Sequence, residues 1–107
     1  MSIEEISFNL ISLGGESFSV MMEALDYSEK GDIKKQQELM NEAEKLMNKA
    51  HNFQTKLLTN EAQGNKNEIN VLLIHAQDTL MNTILAATLI KKMCRMNERL
   101  LKLEGEE

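Results

Sequence analysis

The chain has 107 residues, a formal net charge of −5, no proline, five glycines and one cysteine. That length suits a single domain with a real core, and the lone Cys94 excludes an internal disulfide and fits a reducing compartment. Residues 1–32 carry a net −6, residues 33–67 a net +2 and residues 68–107 a net −1, so the concentrated basic face that nucleic-acid binding needs is missing.

Leu, Met, Ala, Glu, Lys and Gln, all good helix formers, together make up more than half of the chain, and scarce glycine gives no sign of a sheet with tight turns. Eight methionines suit the filling of irregular gaps in a core. In chain order, Ile3, Ile6, Leu10, Leu13, Ser17, Met21 and Leu25 recur at spacings of three and four, which predicts an amphipathic helix over residues 3–30. Ser2 followed by Glu5 has the form of a capping box. Gly14-Gly15 interrupts this helix at a cost of roughly 2 kcal/mol relative to alanines. Either the helix kinks there or something packs against its backbone.

Gly31-Asp32 is the first break, with glycine suited to a left-handed helix end and aspartate to the next N-cap. Such a short connection makes the flanking helices antiparallel neighbours. The second helix is predicted over residues 33–62, with Leu39, Ala43, Leu46, Ala50, Phe53 and Leu57 as its apolar stripe. Beside that stripe runs a second row, Met47, His51, Gln54, Leu58 and Glu61, which puts His51 and Gln54 close to the seam. Gln63-Gly64-Asn65-Lys66-Asn67 reads as a loop, with Asn67 able to cap the third helix.

The third helix is predicted over residues 68–103, with a frayed tail over Glu104–Glu107. Its first half is apolar on every side, and such a helix must be buried on every side. Two partners from the same chain cover only part of it, so the remaining face is expected to meet another subunit. Within Val71–Ile90 lie His75, Gln77, Asp78 and Asn82, which argues against a lipid-exposed span. No signal peptide is expected either, and the chain reads as cytoplasmic. The predicted architecture is all-α, an antiparallel up-down-up three-helix bundle over residues 1–107.

The chemistry concentrates in Ile74-His75-Ala76-Gln77-Asp78-Thr79-Leu80-Met81. On a helix His75, Asp78 and Thr79 are neighbours. A Gly-rich phosphate loop, a Cys-x-x-Cys pair and the Glu-x-x-His pairs of di-iron bundles are all missing. Neutral imidazole is a nucleophile able to carry a transferable group. A phosphoryl group on His75 would want hydrogen-bond donors beside it, for which Thr79, Gln54 and His51 are candidates. Asp78 falls on the apolar row Val71-Ile74-Asp78-Met81-Leu85. A carboxylate there is protonated, paired, metal-bound, or exposed at a groove. Copies gathered by a rotation axis would favour a divalent cation or a shared proton. Cys94 is expected to be half exposed at best, and inert.

These residues resemble a known family, the lactose/cellobiose-type enzyme IIA of the bacterial phosphoenolpyruvate-dependent sugar phosphotransferase system. The landmarks are Glu23-Ala24-Leu25 with Gly31-Asp32, Ala50-His51 with Gln54-Thr55-Lys56-Leu57, Glu61-Ala62 with Gly64, and His75-Ala76-Gln77-Asp78 with Leu80-Met81. The resemblance implies that His75 accepts a phosphoryl group from the phosphocarrier HPr. His75 would then pass it to a cysteine of the cognate IIB component, which serves the membrane component IIC. It also implies a homotrimer with Gln77 and Asp78 at the subunit interface and Asp78 on the threefold axis, holding a divalent ion, magnesium by expectation. The sugar is a β-linked disaccharide of the lactose, cellobiose or chitobiose class, which this chain never touches. One position departs from the family pattern: Thr79 stands where a second histidine is common. The alternative reading is therefore a regulatory or structural helical trimer that has lost phosphotransfer.

Overall fold

A computed structural model describes residues 1–105, which form α1 (Ile3–Glu29), α2 (Ile33–Ala62) and α3 (Val71–Gly105) and no strand. The helices make an up-down-up bundle, a rod with extents of 62 × 22 × 16 Å. α1 is the central element. It packs along both other helices, while α2 and α3 touch each other over only a few residues.

Local chemistry explains the helix ends. Ser2 Oγ accepts from the Glu5 amide at 3.1 Å, and Asp32 Oδ1 accepts from the Lys35 amide at 3.1 Å. Gly31 takes φ +82°, which lets the Gly31 and Asp32 amides donate to the carbonyls of Ser28 and Tyr27. Gly64, at φ +90°, repeats this at the end of α2, with the Gly64 and Asn65 amides donating to Glu61 and Asn60.

The start of α3 differs from expectation. Its cap is Asn70, whose Oδ1 accepts from the Leu73 amide at 2.8 Å, not Asn67. The Asn67 side-chain amide instead donates to the Leu57 carbonyl at 3.2 Å and its Oδ1 accepts from Asn60 Nδ2 at 3.1 Å. Those bonds pin the loop to α2 and delay α3 until Val71. At the other end α3 runs through Glu104 to Gly105, and the tail expectation for Glu106 and Glu107 lies outside the described residues.

Two apolar clusters divide the core along the rod. Ile6, Leu10, Ala50, Leu57, Leu73, Ala76 and Leu80 fill one half. Met21, Ala24, Leu39, Met40, Ala43, Ala87, Ile90 and Cys94 fill the other. Cys94 is thus buried, 6% exposed, well inside the expectation of half exposure at best. It lies a full turn beyond Ile90 on the inner row of α3, so its thiol behaves as a small core hydrophobe.

Between the clusters the backbones come close. Ser17 Oγ donates to the Ala43 carbonyl at 2.7 Å, tying α1 to α2. Thr83 Oγ1 donates to the Gly14 carbonyl at 3.2 Å, tying α1 to α3. A methyl at Gly14 would stand 3.1 Å from Thr79 Cγ2 and 3.3 Å from Thr83 Oγ1. α1 is continuous through Gly14-Gly15, so close packing, not a kink, accounts for Gly14. Gly15 faces open space.

Candidate functional site

The residues singled out in the sequence all sit on the first three turns of α3 and the facing part of α2, but they separate into distinct faces. The inner face of α3, Leu73, Ala76, Leu80 and Thr83, is buried against α1 and α2. The opposite face carries Val71, Ile74, Met81 and Leu85, which are 82%, 57%, 59% and 57% exposed. This outer apolar stripe continues through Leu89, Met96, Leu100 and Leu103, all exposed in the single chain. Asp78 lies in its middle, exposed, with no hydrogen bond or ion pair to its side chain among the described residues.

His75 and Gln77 flank the stripe on opposite sides. Residues two apart on an α-helix are separated by about 160° around the axis measured the short way. Gln77 turns towards α2, where its Nε2 donates to Gln54 Oε1 at 2.6 Å. His75 therefore projects on the α1 side of α3, where its ring is exposed. His51 lies beside Gln54 on α2 and is also exposed. Within one chain the fold thus joins Gln54 with Gln77 but leaves both, with His51, across α3 from His75.

Thr79 is the expected neighbour that stays with His75, one turn on. Its Oγ1 donates to the His75 carbonyl at 2.8 Å, so its hydroxyl is committed to the backbone of its own helix. The next threonine repeats the bond: Thr83 Oγ1 donates to the Thr79 carbonyl at 2.8 Å. The role of Thr83 was missed in the sequence because a threonine in a greasy helix gives no signal until the facing glycine is known.

On the α2 side of the stripe lies an open groove of about 340 Å³ lined chiefly by Leu57, Leu58, Ile69, Leu73 and Ile74, with the Gln54–Gln77 pair at its wall. At the far end of the rod Lys91 pairs with Glu44 across α2 and α3. Among the described residues no three His, Cys, Asp or Glu side chains come together. Asp78 supplies a single carboxylate, so this donor set fits a divalent cation only where several copies share it. Among the same residues no helix is long and apolar enough to cross a membrane.

The comparison with known proteins agrees with this fold. The family model described as PTS system, Lactose/Cellobiose specific IIA subunit matches residues 5–98. The lactose-specific EIIA component of Lacticaseibacillus casei is 37% identical, over 98% of this chain and 94% of its own length. The N,N'-diacetylchitobiose-specific EIIA component of Escherichia coli K12 is 34% identical, over 92% of this chain and 84% of its own. Among solved structures, the cellobiose-specific enzyme IIA of Bacillus anthracis superposes with a TM-score of 0.92 at 41% identity, covering 95% of this chain and 94% of that one. The IIA(Chitobiose)–HPr complex of Escherichia coli contains a chain that superposes with a TM-score of 0.81 at 32% identity, covering 94% of this chain and 97% of its own. With a family match over nearly all of its length, the chain belongs to the lactose/cellobiose-specific IIA family of the sugar phosphotransferase system.

Proposed function

We propose that the protein is a cytoplasmic phosphoryl carrier in the uptake of a β-linked disaccharide, with His75 as the residue that holds the phosphoryl group. The observation that carries this reading is His75 itself: an exposed imidazole at the rim of a large uncovered apolar face, in a chain of this family. A lone pair on one imidazole nitrogen forms a P–N bond as the bond between phosphorus and the donor, phospho-HPr, breaks. The group then moves to the thiolate of the cognate IIB cysteine as that P–N bond breaks, returning a free imidazole. HPr is supported as the donor by the complex in which a similar IIA chain is found. IIC is reached only through IIB.

The carrier works as a homotrimer. A stripe running the length of α3 and made of Val71, Ile74, Met81, Leu85 and Leu100 is too extensive to face water in a stable monomer. Around a threefold axis each α3 presents one flank to one neighbour and the other flank to the second. The flank bearing His75 then meets the flank bearing Gln77 and Gln54 of the next copy. That arrangement gives Gln54 and His51 a route to the phosphohistidine which a single chain denies them. It also gathers the Asp78 carboxylates at the axis, where a divalent ion, magnesium by its preference for oxygen ligands, would offset their mutual repulsion.

Labelling tests the carrier role: with phosphoenolpyruvate and the general phosphotransferase components, wild type takes up one phosphoryl group per chain and His75→Ala takes up none. A wild type that stays unlabelled favours the second reading, a regulator that kept the fold; the observation on its side is that Thr79, standing where histidine is common, keeps its hydroxyl on the helix backbone. Assembly has a separate test. Solution mass should correspond to three chains, with metal content near one ion per trimer, and chelation should loosen the trimer without unfolding the subunit. A metal-free trimer would remove the ion from Asp78, and a monomer would remove the axis.

A further inference from the structure

We propose that Thr79 is a positioning residue, which, seated on the bare backbone of Gly14, fixes the turn of α3 that presents His75. The proposal rests on His75 being the phosphoryl carrier. Four contacts converge on this turn. Thr79 Oγ1 holds the His75 carbonyl at 2.8 Å. The single proton of Thr83 Oγ1 is shared between the Thr79 carbonyl at 2.8 Å and, across the interface, the Gly14 carbonyl at 3.2 Å. The Thr79 methyl lies over Gly14, where a Cβ would stand 3.1 Å away.

Each contact constrains a different freedom. A β-branched side chain has few rotamers, and the bond to the His75 carbonyl selects one of them, which aims the methyl at α1. The Thr83 bond sets the height of α3 along α1. Among the described residues the other side-chain hydrogen bond between these two helices, Asn97 to Ser28 at 3.2 Å, is far down the rod. The missing side chain at Gly14 sets how near the helices lie. His75 makes no side-chain hydrogen bond of its own among the described residues, so its place on the rim comes from the backbone beneath it. Where histidine is common in the family, this chain has a residue that acts on the helix and not on the imidazole.

Adjacent glycines supply the control. Gly14→Ala and Gly15→Ala make the same chemical change, but only at Gly14 does the new methyl meet α3. The Thr79 methyl cannot swing aside without breaking its hydrogen bond, so the packed helices give by a few tenths of an ångström and the turn bearing His75 shifts with them. Misplacing a reacting group by about 1 Å can cost about a hundredfold in rate, and a shift of a few tenths costs correspondingly less. Thr79→Ser removes the crowded methyl and keeps the hydroxyl, so adding it to Gly14→Ala should restore room.

The experiment measures kcat and KM for phosphoryl transfer to His75 in wild type, Gly14→Ala, Gly15→Ala and Gly14→Ala/Thr79→Ser. The His75 imidazole resonances are recorded by NMR in the same proteins. The proposal expects Gly14→Ala to lose several-fold in kcat with KM for the phospho-donor little changed. It expects displaced His75 resonances in that variant, recovery of both in the double variant, and neither effect in Gly15→Ala. Wild-type transfer by Gly14→Ala, or a loss that Thr79→Ser does not recover, overturns it. If wild type itself accepts no phosphoryl group, the carrier role fails. The resonances then still judge the contact, and unchanged resonances in Gly14→Ala overturn the positioning as well.

Discussion

Leu80 and Leu85 lie on the same helix, a little over one turn apart, and carry the same side chain; one is 1% exposed and the other 57%. Leu80 belongs to the inner face that α1 and α2 cover. Leu85 belongs to an outer face that is just as apolar and that nothing among the described residues covers. Folding of the subunit needs only the first face. A second apolar face along the whole helix adds nothing to the monomer and makes it prone to association, which is why the proposed assembly uses it. The polar residues divide in the same way. Thr83 is buried and bonded across to α1, whereas Asp78 stands in the outer stripe without a partner among the described residues. His75 lies where the two regimes meet, which is where a carrier exposed to successive partners belongs.

Paired substitutions test this division, the largest effect coming from the inner face. Leu80→Ala should cost about 2–5 kcal/mol of subunit stability, because it opens a cavity in a core that cannot fully collapse. Urea unfolding at fixed protein concentration measures that loss. Leu85→Ala should leave the subunit's own unfolding nearly unchanged and shift the mass measured at low concentration towards single chains. An equal loss of subunit stability in both variants would erase the distinction between the faces. The smallest effect is on the exposed side of α1. Gly15→Ala should stabilise by about 0.5–1 kcal/mol, since it gains helix propensity and meets no neighbour. A destabilised Gly15→Ala would mean that this surface is covered in the assembly.

Features set by neighbours in sequence were legible. α2 begins and ends where Gly31-Asp32 and Gly64 place it, because cap and left-handed glycine act over one turn. α1 ends a residue before the sequence suggests. What the sequence left open depended on distant partners. Asn67 and Asn70 are equally able to cap α3, and the choice went to Asn70 because Asn67 is drawn back to α2. Whether Gly14-Gly15 is a kink or a contact could not be settled within α1, since Thr79 and Thr83 decide it from another helix. The site divided for the same reason. His75, Gln77 and Thr79 are neighbours in the sequence, yet a helix sends the first two to opposite flanks and turns the third onto α1. The His75 block itself was recognisable at once, and the family match bears out the membership read from it.

The central claim is that one histidine carries the phosphoryl group, and phosphorus NMR of the intact protein addresses it most directly. After incubation with phosphoenolpyruvate and the general phosphotransferase components, wild type should show a single phosphohistidine resonance. His75→Ala should lack it, His51→Ala should keep it, and the resonance should vanish on addition of the cognate IIB as a thiophosphate signal appears. A phosphohistidine signal that survives in His75→Ala and disappears in His51→Ala would contradict the account.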